Sequence, residues 1–381
     1  MSYTALYRKY RSQTFDEIVG QKHIITSLTN QIKNNQVGHA YLFTGTRGTG
    51  KTSIAKIFAK AINCEHSKNG NPCNKCETCK SITAGTNVDV MEIDAASNNR
   101  VDEIRELREK VKYPPVSCKY KVYIIDEVHM LTDSAFNALL KTLEEPPQYV
   151  VFILATTEVQ KLPATILSRC LRFDFKLLSE EELTKHLKYV FEDSGILYEK
   201  EALPLIAKLG AGSVRDTLSI ADMCVAYSNR NVTFNSVIEA IGLTDRATLK
   251  GLLKCILSGD QGGLLNQIND VANAGKNLVQ IAKDLVSYTR DVLVVKTCKN
   301  YKSILKLTAD QLKDLEELSA LTDNNKQIEI LNKLSNLDNE FRYTTSPRNL
   351  LEITLVSLTN FEMTELNELK MQVKLLEKKI K

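Results

Sequence analysis

The 381-residue sequence predicts an α/β domain built on a parallel sheet, followed by two smaller all-helical regions. In the first half, helical patterns alternate with short apolar runs: HAYLFTG (39–45), VDVMEIDA (88–95), KVYIIDEV (121–128) and YVVFILATT (149–157). Continuous apolar runs are typical of parallel strands that are covered on both faces. After LRFDFKLLS (171–179) the strand signals fade and the pattern stays helical. Strands that alternate with helices imply right-handed crossovers and therefore a parallel sheet.

Helical spacing and stop signals divide the chain further. SIAKIFAKAI and SAFNALLKTLEE each carry one apolar stripe, and Pro146-Pro147 ends the second helix. Ser179 and Glu182 form a capping box that opens the first helix of the helical part. We therefore predict four segments: 1–178, 179–242, 243–360, and an amphipathic tail at 361–381. The tail is too short for a stable coiled coil, so a frayed helix is the simpler interpretation.

Composition narrows the class of protein. Hydrophobic residues make up 43% and charged residues 25%, as in ordinary globular proteins. No apolar run approaches the ~20 residues that cross a bilayer, and the N-terminus lacks the apolar stretch of a secretory signal. We therefore expect a cytoplasmic protein with no membrane partner. The formal charge of +4 neither requires nor excludes a nucleic-acid partner.

GTRGTGKT (45–52) matches the full phosphate-binding pattern G-x-x-x-x-G-K-[ST]. Glycines let the backbone turn so that successive N–H groups face phosphate oxygens, and the following helix directs its positive end at the same anion. The loop follows a predicted strand and opens a predicted helix, which argues against an ordinary glycine-rich surface loop. The predicted ATP-binding residues are Gly45, Thr46, Arg47, Gly48, Thr49, Gly50, Lys51, Thr52 and Ser53.

An acidic pair ends the strand VYIIDE. We predict that Asp126 and the Thr52 hydroxyl hold Mg²⁺, and that Glu127 polarises the attacking water. Helix capping or surface salt bridges are the structural alternatives for such a pair. His129 follows it, and a structural hydrogen bond beneath the site is favoured over proton transfer.

Four of the nine cysteines lie in CEHSKNGNPCNKCETCK (64–80). The spacing of Cys64, Cys73, Cys76 and Cys79 indicates a closed structural zinc site with no open position for a substrate. An iron–sulfur cluster, disulfides and a thioredoxin-like dithiol stay open as alternatives. His66 is interpreted as a bystander. Stripping the metal is expected to lower thermal stability more than ATP affinity.

Several stretches occur together and in order: LYRKYRSQTFDEIVGQ (6–21), HAYLFTGTRGTGKTSIAKIFAKAINC (39–64), EIDAASNNRVDEIRELREKV (92–111), YKVYIIDEVHMLTDSAFNALLKTLEEPP (120–147), FILATTEVQKLPATILSRCLRFDF (152–175) and GSVRDTLSIAD (212–222). This set resembles the gamma/tau family of bacterial DNA polymerase III, the ATPases of the sliding-clamp loader. The resemblance is strong over 1–242 and rests on pattern and length up to about residue 360. It implies an AAA+ ATPase domain, a small helical lid and a helical collar that closes a ring-like oligomer.

The resemblance also implies further site residues. Thr157 is similar to the residue that senses the γ-phosphate, Arg169 to the arginine finger that acts on the neighbouring subunit, and Arg215 to the lid arginine that reports nucleotide. Tyr7 and Arg11 are similar to the segment that packs on adenine. Taken alone, Arg169 reads equally as a surface arginine, Tyr7 as a core residue, and Arg215 as a partner of Asp216.

The expected function is therefore an ATPase subunit of the clamp loader. The cofactors are ATP, Mg²⁺ and structural Zn²⁺; the partners are other loader subunits, the sliding clamp and primer-template DNA, with the polymerase core only if a C-terminal extension exists. Arg100 and Arg105 on the helix after SNN are DNA-contact candidates, but Glu103, Glu106 and Glu109 make a solvated face the alternative. The rival functions are another AAA+ DNA motor, for branch migration or helicase loading, and a non-hydrolysing scaffold subunit.

Overall fold

The computed structural model describes residues 4–97, 101–242, 244–305, 307 and 309–359, without the side chains of residues 101 and 102. Two compact units divide between Val237 and Ile238. Arg100, Leu243 and the predicted tail at 361–381 lie outside the described residues. Within those residues, no helix has both the length and the apolar content needed to cross a bilayer.

The first unit is built on a five-stranded sheet in the order β2-β3-β4-β1-β5, and all of its strand pairs are parallel. The strands are β1 Ala40–Thr44, β2 Val90–Asp94, β3 Lys121–Asp126, β4 Val150–Thr156 and β5 Leu171–Asp174. The helices that surround the sheet are α1 Leu6–Lys9, α2 Lys22–Lys33, α3 Lys51–Asn63, α4 Glu77–Ala84, α5 Val101–Val111, α6 Asp133–Glu144 and α7 Ala164–Leu167, with 3₁₀ turns at Phe15–Glu17, Val128–Met130 and Val159–Lys161.

The sheet separates two apolar layers because successive side chains of a strand point to opposite faces. From β1, Tyr41 and Phe43 pack with α3 in one layer, whereas Leu42 packs in the other layer with α6. The helical stripes predicted from the sequence lie in these layers: Ile54, Ile57, Phe58 and Ala61 in one, and Phe136, Leu139 and Leu143 in the other, with Leu140 half-buried at its edge. The predicted parallel α/β core is confirmed.

The helical part of the first unit contains α8 Glu180–Ser194, α9 Ala202–Leu209 and α10 Val214–Tyr227, with the two-residue strands β6 Leu197–Tyr198 and β7 Asn231–Val232. The predicted capping box is present: the Ser179 hydroxyl accepts from the Glu182 amide, and the Glu182 carboxylate accepts from the Ser179 amide. The sequence did not predict β6 and β7, because two residues are too few to show a periodic pattern.

The helix α11 Phe234–Ile241 crosses the division between the units. The second unit is helical throughout its described residues: α12 Arg246–Ser258, α13 Gln261–Asn273, α14 Leu278–Thr297, α15 Tyr301–Leu305, α16 Ala309–Ala320, α17 Asn324–Phe341 and α18 Pro347–Thr359. The long helix α14 packs against α12, α16, α17 and α18. Leucines and isoleucines spaced along these helices form one apolar core. The boundaries predicted at residues 178 and 242 stay predictions.

Candidate functional site: a phosphate loop, an acidic pair and a four-cysteine cluster

The phosphate loop joins β1 to α3 and borders a cavity of about 610 Å³ in the first unit. Gly45, Gly48 and Gly50 all have positive φ, which side-chain-bearing residues rarely adopt. A Cβ on Gly45 would lie 2.5 Å from the carbonyl oxygen of Phe175, so this position also needs glycine for space. The glycines therefore hold the loop open at the N-terminus of α3, where an anion is stabilised.

Lys51 is 6% exposed, and its ammonium donates to the carbonyl oxygens of Gly45 at 2.8 Å and Thr46 at 2.9 Å. Burial lowers the pKa of Lys51, while the Glu127 and Asp126 carboxylates act in the opposite direction. The lysine thus lies folded along its own loop, close to where phosphate oxygens would be bound.

The acidic pair lies at the carboxyl end of β3, beside the loop that follows β1. The Thr52 hydroxyl donates to Asp126 Oδ2 at 2.7 Å. These two oxygens are the ligand type that Mg²⁺ prefers, and both are half-buried. The donor set therefore fits a magnesium ion that is bound together with phosphate.

Glu127 is held by Thr157, which follows β4, and by His129, which lies two residues further along its own segment. It has φ 47°, and its Oε2 accepts from the Thr157 hydroxyl at 3.1 Å and lies 3.4 Å from His129 Nδ1. His129 Nδ1 also lies 3.0 Å from the Thr156 hydroxyl, and its Nε2 lies 3.3 Å from Glu158 Oε1. His129 is therefore a packed hydrogen-bonding residue beneath the acidic pair, as the favoured interpretation of the sequence expected.

The N-terminal segment and α10 supply two further walls of the cavity. The Arg215 guanidinium lies over the Tyr7 ring at 5.4 Å, and Arg11 Nε donates to the Ser53 hydroxyl at 3.3 Å. The Gly48 carbonyl oxygen accepts from the Val214 amide at 3.0 Å. Tyr7, Arg11 and Arg215 therefore lie together at the phosphate loop, although Arg215 is far from the other two in sequence.

Sequence reasoning missed several residues that line the cavity: Tyr10, Ile18, Val19, His186 and Leu218. His186 Nε2 is buried without a hydrogen-bond partner among the described residues, and burial lowers the pKa of its ring. The apolar pair Ile18-Val19 lies within the N-terminal motif (6–21) and could have been noticed. His186 and Leu218 had no signal, because only tertiary packing brings α8 and α10 to the loop.

The four predicted cysteines form a cluster whose Sγ atoms all lie within 4.8 Å of one another. A tetrahedral zinc with Zn–S bonds of 2.3 Å needs sulfurs about 3.8 Å apart, so the cluster fits such an ion after a small contraction. All nine cysteines have free sulfurs. The arrangement fits a structural zinc better than the disulfide alternative.

Main-chain amides point at the sulfurs of the cluster. Cys73 Sγ accepts from the amides of Lys75 at 3.4 Å and Cys76 at 3.3 Å, which lowers the pKa of Cys73 to about 6. Burial raises the pKa of Cys64 and Cys79. A bound divalent cation would lower the pKa of these buried thiols again, because metal binding favours the thiolate and releases the thiol proton.

Family comparisons agree along most of the chain. The model described as DNA polymerase III, delta subunit, matches residues 20–179; the clamp loader subunit ATPase lid domain matches 182–230; and the gamma and tau domain III matches 232–373. The DNA polymerase III subunit gamma of Buchnera aphidicola subsp. Acyrthosiphon pisum is 38% identical over 331 residues, 87% of this chain and 90% of that protein. The chain belongs to the DNA polymerase III gamma/tau family.

Longer members of the gamma/tau family are also similar to this chain. The tau subunit of Bacillus subtilis is 43% identical over 94% of this chain, and the tau/gamma subunit of Haemophilus influenzae is 50% identical over 72%. The chain spans 63% and 40% of these two relatives. The predicted fold class is confirmed: an α/β AAA+ ATPase domain with a parallel sheet, then a lid and a helical domain.

Two predicted gamma/tau features lie away from the cavity. Arg169 follows α7, and its guanidinium donates to Glu144 Oε1 at 2.8 Å and to the Thr165 carbonyl oxygen at 2.8 Å. Arg169 lies just before β5, which pairs with β1, and Tyr41 is opposite Leu171 in that parallel pair. Arg169 is therefore at the amino end of these strands, whereas the phosphate loop follows the carboxyl end of β1. Arg105 is exposed on α5, where Glu106 pairs with Lys110 at 2.7 Å. DNA contact by α5 stays a prediction.

Replacing one cysteine of the cluster tests whether it holds a structural zinc. We expect Cys76→Ser to lower the midpoint of thermal unfolding of the first unit by about 5 to 10 °C, because the loop loses its closing bond. Cys224→Ser, which replaces a buried cysteine outside the cluster, is the matched control for any cost of a hydroxyl in a core. Differential scanning calorimetry and metal analysis check the result. An equal shift in both variants, with no zinc in the wild type, would contradict a structural zinc.

Proposed function

We propose that the chain is the ATP-hydrolysing subunit of the DNA polymerase III clamp loader. ATP binding favours an assembly that grips and opens the sliding clamp, primer-template DNA enters, and hydrolysis leaves the clamp on DNA. The observation that carries the proposal is the intact catalytic set at one sheet edge: Lys51 in the loop, Thr52 bonded to Asp126, and Glu127 beside Thr157. Family membership supports this assignment over an unrelated ATPase.

The loop residues bind the phosphates. Backbone amides of residues 45–52 face the anion, and Lys51 must exchange the Gly45 and Thr46 carbonyl oxygens for phosphate oxygens. Mg²⁺, when held by Thr52 and Asp126, supplies neutralisation of charge on the outer phosphates. Tyr7 and Arg11 border the side of the cavity that we assign to the adenine, and Arg215 reaches the same cavity from α10.

Glu127 orients the attacking water. In this structure its carboxylate is engaged by Thr157 and His129, so a water positioned for attack has to compete with these contacts. We propose that Thr157 moves when the γ-phosphate is bound and thereby changes its hydrogen bond to Glu127. Hydrolysis then depends on occupancy of the cavity, which is the coupling that a switch requires.

Arg169 acts on the neighbouring subunit of a ring-like oligomer. Its bonds to Glu144 and Thr165 hold the guanidinium in one orientation on the surface of its own subunit. A fixed cation inserted beside the γ-phosphate stabilises the transition state by neutralising charge. The intact phosphate loop and acidic pair argue against a scaffold subunit that does not hydrolyse ATP. We infer that the chain works in the cytoplasm with the nucleoid-associated replication machinery.

The test measures ATP hydrolysis by the assembled loader, with and without sliding clamp and primed DNA. We expect the two together to raise the rate about tenfold, because they stabilise the closed assembly. Arg169→Ala should lower the stimulated rate by about 10²-fold or more, while Arg172→Ala, an exposed arginine that pairs with Asp174, should not. Mixing Arg169→Ala with Lys51→Ala subunits should restore part of the rate. A rate indifferent to clamp and DNA would contradict the clamp-loader proposal.

A further inference from the structure

Lys60 is a buried ammonium that the proposed mechanism does not use. It lies on α3, two turns beyond the phosphate loop, and is 2% exposed. Its Nζ donates to the Gln13 carbonyl oxygen at 3.1 Å, to Gln13 Oε1 at 2.8 Å and to Asn74 Oδ1 at 2.8 Å. All three acceptors belong to two segments: the N-terminal segment and the loop that carries the four cysteines.

Further hydrogen bonds join the cysteine loop, residues 64–79, to the N-terminal segment. Asn71 Oδ1 accepts from the Phe15 amide at 2.8 Å, and Asn71 Nδ2 donates to Asp16 Oδ2 at 3.0 Å. Asn74 Nδ2 donates to the Gln13 carbonyl oxygen at 3.3 Å. Residues 13–16 are therefore bonded to the cysteine loop through main chain and side chain.

The same N-terminal segment forms a wall of the nucleotide cavity. Among its earlier residues, Tyr7, Arg8, Tyr10, Arg11 and Ser12 line the cavity, and the Leu6 amide donates to Asp222 on α10 at 2.8 Å. The segment is thus attached at α10, at Asp193 of α8 through Tyr10, at Ser53 through Arg11, and at the cysteine loop. Removing the last attachment would free the end of the segment nearest to Arg11.

Burying an ammonium is unfavourable unless its donors are satisfied, and an apolar residue would fill the same volume without that penalty. The buried ammonium of Lys60 is therefore better explained by a positioning role than by a purely stabilising one. We propose that Lys60, with Asn71 and Asn74, positions the N-terminal wall of the nucleotide cavity, so that an ordered cysteine loop raises affinity for ATP. This inference rests on the proposed function, because it assigns the cavity to ATP.

The test compares Lys60→Met with Lys56→Met, a matched lysine one turn earlier on α3 whose ammonium pairs with Glu92 at 2.5 Å. In Lys60→Met we expect the Phe15 amide to exchange hydrogen at least about tenfold faster and ATP affinity to fall about fivefold, with zinc retained. Lys56→Met should match the wild type in all three measurements. Metal-stripped wild type should reproduce the faster exchange.

Each outcome bears on the proposal. Faster exchange with unchanged ATP affinity, or unchanged exchange in Lys60→Met, would overturn it. Should Lys60→Met not fold, Asn71→Ala removes the bonds to Phe15 and Asp16 from a surface loop and is judged by the same two criteria. If the wild type binds no ATP, the proposed function is wrong. The comparison of Phe15 amide exchange between the wild type and Lys60→Met would still decide whether Lys60 holds the N-terminal segment in place.

Discussion

Lys51→Met is expected to abolish ATP binding at concentrations that saturate the wild type, with an affinity loss of about 10²-fold or more. In the proposed site the Lys51 ammonium binds the outer phosphates, and hydrogen bonds between ionised partners in a partly buried site are the strong ones. Methionine keeps most of the length of the side chain but removes the charge and the hydrogen-bond donors of the ammonium. Isothermal titration calorimetry with Mg²⁺-ATP measures the loss directly.

The same variant should not be less stable without nucleotide. In the wild type, Lys51 is a buried cation with only two carbonyl acceptors, and replacing a buried charge by an apolar group of similar volume is often neutral or stabilising. Lys51→Met should therefore unfold at the wild-type temperature or slightly above it, yet gain no stability when ATP is added. A variant that still gains the wild-type increment would show that the loop is not the nucleotide site.

Glu127→Gln is expected to bind ATP normally and to hydrolyse it about 10²- to 10⁴-fold more slowly. Glutamine can still accept from the Thr157 hydroxyl, so the local hydrogen bonds survive, but a neutral amide cannot polarise water. The loss should fall on kcat with KM unchanged, because the contribution is made in the transition state only. Steady-state kinetics give kcat and KM, and a nucleotide-binding titration measures the ATP affinity separately.

Glu158→Gln is the matched control for this prediction. Glu158 is the second carboxylate that contacts His129, and its other partner is Lys161 at 2.9 Å. If Glu127 acts chemically, Glu158→Gln should change kcat less than about threefold. Equal losses in the two variants would mean that His129, which both carboxylates contact, carries the effect instead.

Local motifs could be predicted because each is continuous in sequence and has one geometric solution. The phosphate loop needs glycine at positions of positive φ, and Gly45, Gly48 and Gly50 are all there. The capping box at Ser179 and the stop at Pro146 depend on a few adjacent residues. The cysteine spacing likewise limited which sulfurs could meet.

Contacts between distant segments had no comparable signal. The Tyr7 ring and the Arg215 guanidinium meet only because α1 packs on α10. The links of Lys60 to residues 13 and 74, and of His129 to Thr156, join segments whose spacing along the chain carries no periodic pattern. The family resemblance proposed roles for Tyr7 and Arg215, but it was silent on Lys60 and His186.

The parallel α/β core, the phosphate loop, the acidic pair and the four-cysteine cluster could be predicted from the amino-acid sequence, because backbone conformation and burial of short segments follow from nearby residues. The family followed from the joint set of motifs. Which side chains surround Glu127, what completes the nucleotide cavity, and how the cysteine loop is bonded to the cavity wall became clear only in the folded structure. The physical reason is that such contacts depend on how whole elements pack, and a buried polar group takes its partners from whichever segments that packing brings within hydrogen-bond distance.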